Sequence, residues 1–137
     1  MADKPRRQEY HSTRSLIDKL GVKPEAKVTV IGVEDEAFWL QLSERTHDIV
    51  VGRLRTECDV VFFAADRLSD LKKLARLKKY LKSNGAIWVV SVKGKAAKIK
   101  DVDVIAATKA AGLVDNKVVS FSETHTALRL VIPVSER

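Results

Sequence analysis

Short apolar runs alternate with amphipathic stretches along most of the chain. Four runs rich in β-branched and aromatic residues are typical of strands, and they cover residues 27–33, 47–52, 58–65 and 86–92. Apolar residues at helical spacing predict helices over residues 13–20, from residues 34–36 onward, over 68–82, and from residue 101 or 103 to 111. Two further strands are predicted over residues 116–122 and 126–132.

The clearest helical pattern is the one over residues 68–82, where apolar residues recur at helical spacing. The positions between them are mostly cationic: Lys72, Lys73, Arg76, Lys78, Lys79 and Lys82. Asn84 and Gly85 are predicted to end this helix. Thr13 is the predicted N-cap of the first helix.

Continuous apolar strands that alternate with helices are typical of a mostly parallel sheet covered on both faces. The link between the last two strands, residues 123–125, is short enough for a hairpin, so this pair is predicted to be antiparallel. We therefore expect an α/β fold with three layers and about six strands. Residues 13–137 are expected to form it as a single domain, after a flexible tail of residues 1–12.

Composition narrows the class of protein without naming a function. The 137 residues are 45% hydrophobic and 31% charged, which suits a folded domain rather than a disordered chain. The single cysteine, Cys58, cannot form an internal disulfide, and no signal peptide or membrane-spanning run is visible. We therefore expect a cytoplasmic protein that does not enter a membrane. Its net charge of +7 favours an anionic partner.

Several segments together resemble the core of the class I S-adenosylmethionine-dependent methyltransferases, a Rossmann-like fold. They are the approach to the first strand, a buried strand, a helix–turn–strand and the C-terminal turn: residues 20–32, 58–61, 81–89 and 112–114. This resemblance implies the spatial strand order 2-1-3-4-6-5, with the last strand antiparallel between its neighbours. Residues 12–132 are more closely similar to a family of small bacterial proteins of unknown function, which implies no activity.

The chain departs from working methyltransferases in the segments that hold the cofactor. Such enzymes place several glycines after the first strand so that the backbone can approach the cofactor, whereas residues 31–36 contain one glycine and three carboxylates. Only one short strand fits between the first strand and Cys58, where the full fold has two. Neither Asp48 nor Glu57 is a clear counterpart of the acid that holds the ribose hydroxyls, and no Asn/Asp-Pro-Pro-aromatic motif follows Ala65.

A cofactor is therefore not expected, and S-adenosylmethionine is the one that the resemblance allows. Open α/β sheets bind ligands at the carboxyl ends of their strands, so a retained pocket would use Gly32, Val33, Glu34 and Ala65. The alternative interpretation is that residues 34–36 only place carboxylates in the first turn of a helix, where they complement its dipole. We predict no catalytic residue.

A lysine-rich loop after the fourth strand offers a different site. Lys93, Lys95 and Lys98 are expected at the carboxyl edge of the sheet, where they could join cations of residues 72–82 in an anion-binding rim. Such a rim would bind phosphates, including a nucleic-acid backbone, with an affinity that falls as salt rises. The alternative is a solvated surface. Tyr80 is the only aromatic residue interleaved with these cations, which argues against recognition of bases.

The remaining polar and aromatic residues suggest no further chemistry. His11, His47 and His125 lack the spacing of metal ligands, so no metal site is predicted. Trp39 and Trp88 are predicted to be core residues. The sequence therefore favours an uncharacterised, non-catalytic module on a degenerate methyltransferase-like scaffold, which binds an anionic partner through a basic edge. The alternative is an S-adenosylmethionine-dependent methyltransferase with an atypical cofactor loop; the partner and the oligomeric state stay open.

Overall fold

The computed structural model of the chain describes residues 14–137. The tail predicted for residues 1–12 and the N-cap predicted at Thr13 lie outside the described residues. In chain order the elements are α1 (Leu16–Lys19), β1 (Val28–Ile31), α2 (Glu36–Arg45), β2 (Ile49–Val51), β3 (Cys58–Ala64), a 3-10 helix (Leu68–Lys73), α3 (Leu74–Lys78), β4 (Leu81–Val92), a 3-10 turn (Gly94–Ala96), α4 (Asp101–Ala110), β5 (Val114–Ser120), β6 (His125–Val131) and a final 3-10 turn (Val134–Glu136).

The six strands form one sheet in the order β2-β1-β3-β4-β6-β5, as predicted. Strands β1 to β4 are mutually parallel, while β6 lies antiparallel between β4 and β5. Helices cover both faces, so the predicted three-layer α/β fold is confirmed. None of the helices among residues 14–137 is long and apolar enough to cross a membrane.

The sheet is buried on both faces, because its central strands send alternate side chains into two hydrophobic clusters. The first cluster packs against α1 and α2, and at its centre the rings of Phe38 and Phe62 lie 4.8 Å apart in an edge-to-face arrangement. The second cluster packs against the 3-10 helix, α3 and α4, and contains Phe63, Leu74 and Ile87. This two-sided burial explains why the strands read as continuous apolar runs.

The connection from β2 to β3 is unusually short. The strand order requires it to cross β1, a step that commonly takes about a dozen residues and a helix, yet only residues 52–57 are available. Arg55 holds this segment in place, since its guanidinium donates to the carbonyl oxygens of Val28 (2.9 Å) and Asp48 (2.7 Å) and pairs with the Asp48 carboxylate. Leu54 packs against the second cluster. One arginine thus ties the short connection to the backbone of β1 and to the residue that precedes β2.

The leucine-rich segment 68–82 is not the single helix that its pattern predicts. It forms the 3-10 helix and then the five-residue α3, and β4 begins at Leu81, before the predicted stop at Asn84 and Gly85. Its first four leucines lie three residues apart, at Leu68, Leu71, Leu74 and Leu77. That spacing matches the three residues per turn of a 3-10 helix, which explains why the helical prediction was wrong in type and length.

Two smaller predictions also need correction. Trp88 is a core residue as predicted, but Trp39 is only partly buried, and its indole N–H donates to the Val33 carbonyl (3.1 Å). Strand β5 begins at Val114, two residues before its predicted start, because an irregularity between Asp115 and Lys117 lets the earlier residues join the ladder.

Replacing Arg55 with methionine should destabilise the fold, because the aliphatic stem stays while the donors to two backbone carbonyls are lost. We expect the free energy of unfolding to fall by about 1.5–3 kcal/mol, measured by urea denaturation. Arg53→Met is the matched control, since Arg53 lies in the same segment with its side chain exposed. Equal losses in the two variants would show that Arg55 does not secure the crossing.

Candidate functional site

The carboxyl ends of β1, β3 and β4 meet at a cavity of about 370 Å³. Four segments line it: the loop after β1, the end of β3, the end of β4, and the turn that joins β5 to β6 (Gly32, Val33, Glu34, Asp35, Ala64, Asp66, Val90, Phe121, Thr124 and His125). This is the position at which open α/β sheets bind ligands. Gly32, Val33 and Glu34, which the sequence proposed for a pocket, all lie on this cavity.

Gly32 is required where it stands. Its φ of +78° is a conformation that other residues rarely adopt, and a Cβ added to it would lie 3.3 Å from the Ala64 Cβ. Val33 and Asp35, which follow Gly32, have structural roles. Asp35 is the N-cap of α2 and accepts the Phe38 N–H (2.9 Å), while Val33 is buried. The loop therefore serves chiefly to begin a helix, which agrees with the alternative interpretation of its carboxylates.

A second cavity of about 570 Å³ adjoins the first at Asp66. Ala65, the fourth predicted pocket residue, lines this cavity rather than the one at Gly32. Asp66, Arg67, Ser91 and Lys98 contribute its polar surface. The structure therefore divides the four predicted residues between two neighbouring cavities along one edge of the sheet.

The rim at residues 66 and 67 is fixed by a carboxylate. Asp70 accepts the backbone N–H groups of Asp66 (2.9 Å) and Arg67 (3.1 Å). The hydrogen bond from Asp66 is the main cause that lowers the pKa of Asp70 below its ordinary value, and the one from Arg67 adds to it. Asp70 therefore stays ionised at neutral pH and holds the Arg67 backbone at the edge of the second cavity.

The three predicted anion-binding lysines lie at this edge but do not converge on one point. Lys98 lines the second cavity. The Lys93 ammonium donates to the Ser120 hydroxyl (2.8 Å), and Lys95 is exposed on the 3-10 turn that follows β4. Among residues 14–137, no carboxylate lies within ion-pair distance of any of the three or of Arg67.

Three cations of residues 72–82 already have carboxylate partners. Lys73 pairs with Asp70 at the rim itself, whereas Lys78 pairs with Glu136 and Lys82 with Asp59. Asp59 lies at the beginning of β3, so its partner Lys82 stands at the opposite edge of the sheet. The convergence of helix and loop lysines that the sequence allowed does not occur for Lys82.

Arg67 and Ser91 belong to the site but were not singled out from the sequence. The available signal was positional, because both follow or end strands whose carboxyl ends meet at the same edge. Thr124 and His125 were read only as turn residues; they line the first cavity, where the Thr124 hydroxyl lies 2.8 Å from His125 Nδ1. No group of three metal-ligating side chains occurs in the described part of the chain.

The residues at the first cavity do not fit S-adenosylmethionine in the usual way. In Rossmann-type sites an acid at the end of the second strand binds the ribose hydroxyls, but here Gly52 and Arg53 follow β2. Asp48 lies at the amino end of β2, where it pairs with Arg55, and Glu57 precedes β3. Both acids therefore stand at the wrong edge of the sheet.

Comparison with solved structures identifies the fold as that of the S-adenosylmethionine-dependent methyltransferases. A TehB-like methyltransferase from Corynebacterium glutamicum matches with a TM-score of 0.62 at 14% identity, covering 96% of each chain. Magnesium protoporphyrin IX methyltransferase from Synechocystis, with bound S-adenosylmethionine, has a TM-score of 0.64 at 11% identity, over 86% of this chain and 74% of that one. A methyltransferase from Aquifex aeolicus has a TM-score of 0.59 at 14% identity, over 86% and 88% of the two chains.

A family model assigns the chain more specifically than the fold does. Residues 17–134 match the model of the family described as "Protein of unknown function (DUF3052)", and the chain therefore belongs to that family. No curated protein matches the sequence well enough to serve as a relative. The similarity to methyltransferases at these identities establishes a shared fold and leaves the activity open.

Alanine at Gly32 should cost more stability than alanine at Gly52. Both glycines have a φ near +78°, but only at Gly32 would the new Cβ meet a neighbouring atom. We expect each substitution to lower the free energy of unfolding by about 1–2 kcal/mol through the backbone, with a further loss for Gly32→Ala from its contact with Ala64. Urea denaturation of both variants measures the difference. A loss for Gly52→Ala as large as for Gly32→Ala would refute a tight approach of β1 to β3 at this site.

Proposed function

We propose that this protein is a non-catalytic binding domain on a methyltransferase fold, and that the basic carboxyl edge of its sheet holds a phosphate-bearing partner. The observation that carries this proposal is a group of four cations along that edge with no ion-pair partner among residues 14–137: Arg67, Lys93, Lys95 and Lys98. They surround the end of the sheet where related folds bind anionic ligands. The net charge of the whole chain is +7, which also favours an anionic partner.

The geometry of this edge favours contact with several phosphates over a closed site for one small anion. Lys95 is exposed on the 3-10 turn, Lys93 is tied to Ser120, and Lys98 shares a cavity with Arg67. Cations that lie apart along a surface can each neutralise a phosphate of an extended backbone, and this binding weakens steeply as salt rises. Single-stranded nucleic acid is therefore the partner that we would test first.

Reversing the three loop lysines should weaken this binding. We expect Lys93→Glu/Lys95→Glu/Lys98→Glu to weaken binding of a labelled single-stranded oligonucleotide by at least about tenfold at low salt, because three phosphate contacts become repulsive. Fluorescence anisotropy over a range of salt concentrations measures both the affinity and the slope against salt. The slope should flatten in the variant.

The matched control carries the same change of net charge at another place. Lys72→Glu/Arg76→Glu/Lys79→Glu reverses three exposed cations on the 3-10 helix and α3. Binding should be little changed in this control. Equal losses in the two triple variants would mean that the overall charge, and not the carboxyl edge, attracts nucleic acid, and would count against the proposal.

A methyltransferase with an atypical cofactor loop is the second candidate, and one observation favours it. Gly32 follows β1 with a φ of +78° and lines the cavity where a nucleoside would lie in this fold. Structural neighbours include an enzyme solved with bound S-adenosylmethionine. Against this candidate stand the single glycine, the capping role of Asp35 and the absence of an acid after β2 among residues 14–137.

Titration calorimetry with S-adenosylmethionine and S-adenosylhomocysteine separates the two candidates. We expect no heat of binding at millimolar ligand, with circular dichroism showing that the protein is folded. Micromolar binding that is lost in Gly32→Trp but kept in Gly52→Trp would instead favour the methyltransferase. The second variant is the matched control because Gly52 has a similar φ and open space around it.

A further inference from the structure

A third cavity lies at the opposite edge of the sheet from the candidate site. It measures about 460 Å³ and is bounded by the loop from α1 to β1, the beginnings of β3 and β4, and the ends of β5 and β6 that lie beside them. This volume falls in the range of small-molecule sites, about 300–1,000 Å³. None of the residues proposed for the carboxyl edge contributes to it.

Two cations stand side by side on one wall of this cavity. Arg129 on β6 is directly opposite Lys117 on β5 and Trp88 on β4, so the three side chains share one face of the sheet. Like charges in directly opposite positions destabilise a sheet. An irregularity in the pairing between Asp115 and Lys117 adjoins this pair, and such bulges re-aim side chains next to functional sites.

The guanidinium of Arg129 has little to neutralise it. In the part of the chain that the structure describes, no carboxylate lies within ion-pair distance, and its one hydrogen bond is to Asn116 Oδ1 at 3.3 Å. Burial lowers the pKa of Arg129 from its ordinary value, and the nearby Arg137 lowers it further. A partly buried guanidinium has five donors and is matched best by an oxyanion that can accept two of them together.

Neither of the acids that line the cavity, Asp59 and Glu25, pairs with Arg129. The Asp59 carboxylate accepts the Lys27 N–H (2.8 Å) and pairs with Lys82 (3.0 Å). Burial acts to raise the pKa of Asp59, but these contacts outweigh it and hold the pKa below its ordinary value. Glu25 is largely exposed and lies nearest to His47, 4.0 Å away. Lys117, by contrast, uses one of its donors on the Lys19 carbonyl (2.8 Å) and retains the others.

Lys23 and Asn84 add further polar groups to the wall, and the rest of it is apolar and held in place. Leu20, Pro24, Val60 and Ala86 line it together with Trp88. The Trp88 indole N–H donates to the Leu20 carbonyl (3.1 Å), which ties the loop before β1 to the floor of the sheet. The cavity thus combines one half-buried cation, Arg129, and two exposed cations, Lys23 and Lys117, with an apolar patch.

We propose that this amino-edge cavity is a second binding site, which takes a small carboxylate with an apolar body. Arg129 donates two hydrogen bonds to the carboxylate, Lys117 adds a second positive charge, and Pro24, beside the buried Trp88 and Leu20, contacts the apolar part. The ligand would also relieve the repulsion between the two cations. This site is independent of the proposed binding of phosphates at the carboxyl edge.

Benzoate is a suitable probe, and Trp88 is a built-in reporter. The chain has two tryptophans, so Trp39→Phe leaves a single indole, whose N–H resonance can be followed in proton–nitrogen NMR spectra. In this background we expect benzoate to shift the Trp88 indole resonance along a saturating curve. Benzamide, which has the same shape without the charge, should bind at least about tenfold more weakly, since a charge-assisted pair contributes about 1.5–3 kcal/mol.

Arg129→Gln tests the cation directly, and Arg76→Gln is its matched control, because Arg76 is exposed on α3 at the other face of the fold. We expect benzoate affinity to fall at least about tenfold in the first variant and to stay unchanged in the second. If Arg129→Gln fails to fold, Lys117→Gln on the exposed edge strand should still weaken binding. Absence of saturation in the folded parent, or equal affinity in parent and cation variants, would overturn the proposal.

Discussion

The fold depends on burying strands β3 and β4 on both of their faces. Their alternate side chains enter different clusters: Phe62 and Trp88 pack towards α1 and α2, while Val61 and Ile87 pack towards α3 and α4. All four are almost fully excluded from solvent. Because the two strands serve both cores at once, a disturbance to their register would expose apolar surface in both layers. The helices and outer strands are placed by the need to cover this pair.

Much of this arrangement could be predicted from the sequence, because β-branched runs that are buried on both sides leave little ambiguity. The strands and the antiparallel hairpin follow from such runs and from the shortness of residues 121–124, whereas the strand order was implied by the resemblance to the methyltransferase core. The segment 68–78 could not be assigned correctly, since leucines spaced by three satisfy either kind of helix over so short a length. The type of helix that the segment forms depends on its packing against β3 and β4, and the local sequence pattern carries no information on that packing.

The sequence predicted the position of a site residue only where that residue follows a recognisable strand. Gly32, Ala65 and Lys98 could be placed at one edge because each follows a recognisable strand. Their division between two cavities could not, because it depends on how Asp70 fixes residues 66 and 67 and on where the Phe121 ring packs. Arg129 gave no signal at all: a cation within an apolar strand looks like a solvated position until its neighbours across the sheet are known.

The short crossing at residues 52–57 connects the reduced fold with its chemistry. In this segment Arg55 binds the backbone of β1 and β2, and Gly52 and Arg53, not an acid, directly follow β2. The short crossing thus offers no carboxylate at the place where one would bind a ribose. Cations stand among the polar groups at the carboxyl edge, and Arg129 and Lys117 stand at the amino edge. A scaffold built this way keeps the burial that folds a methyltransferase while presenting a surface suited to anions.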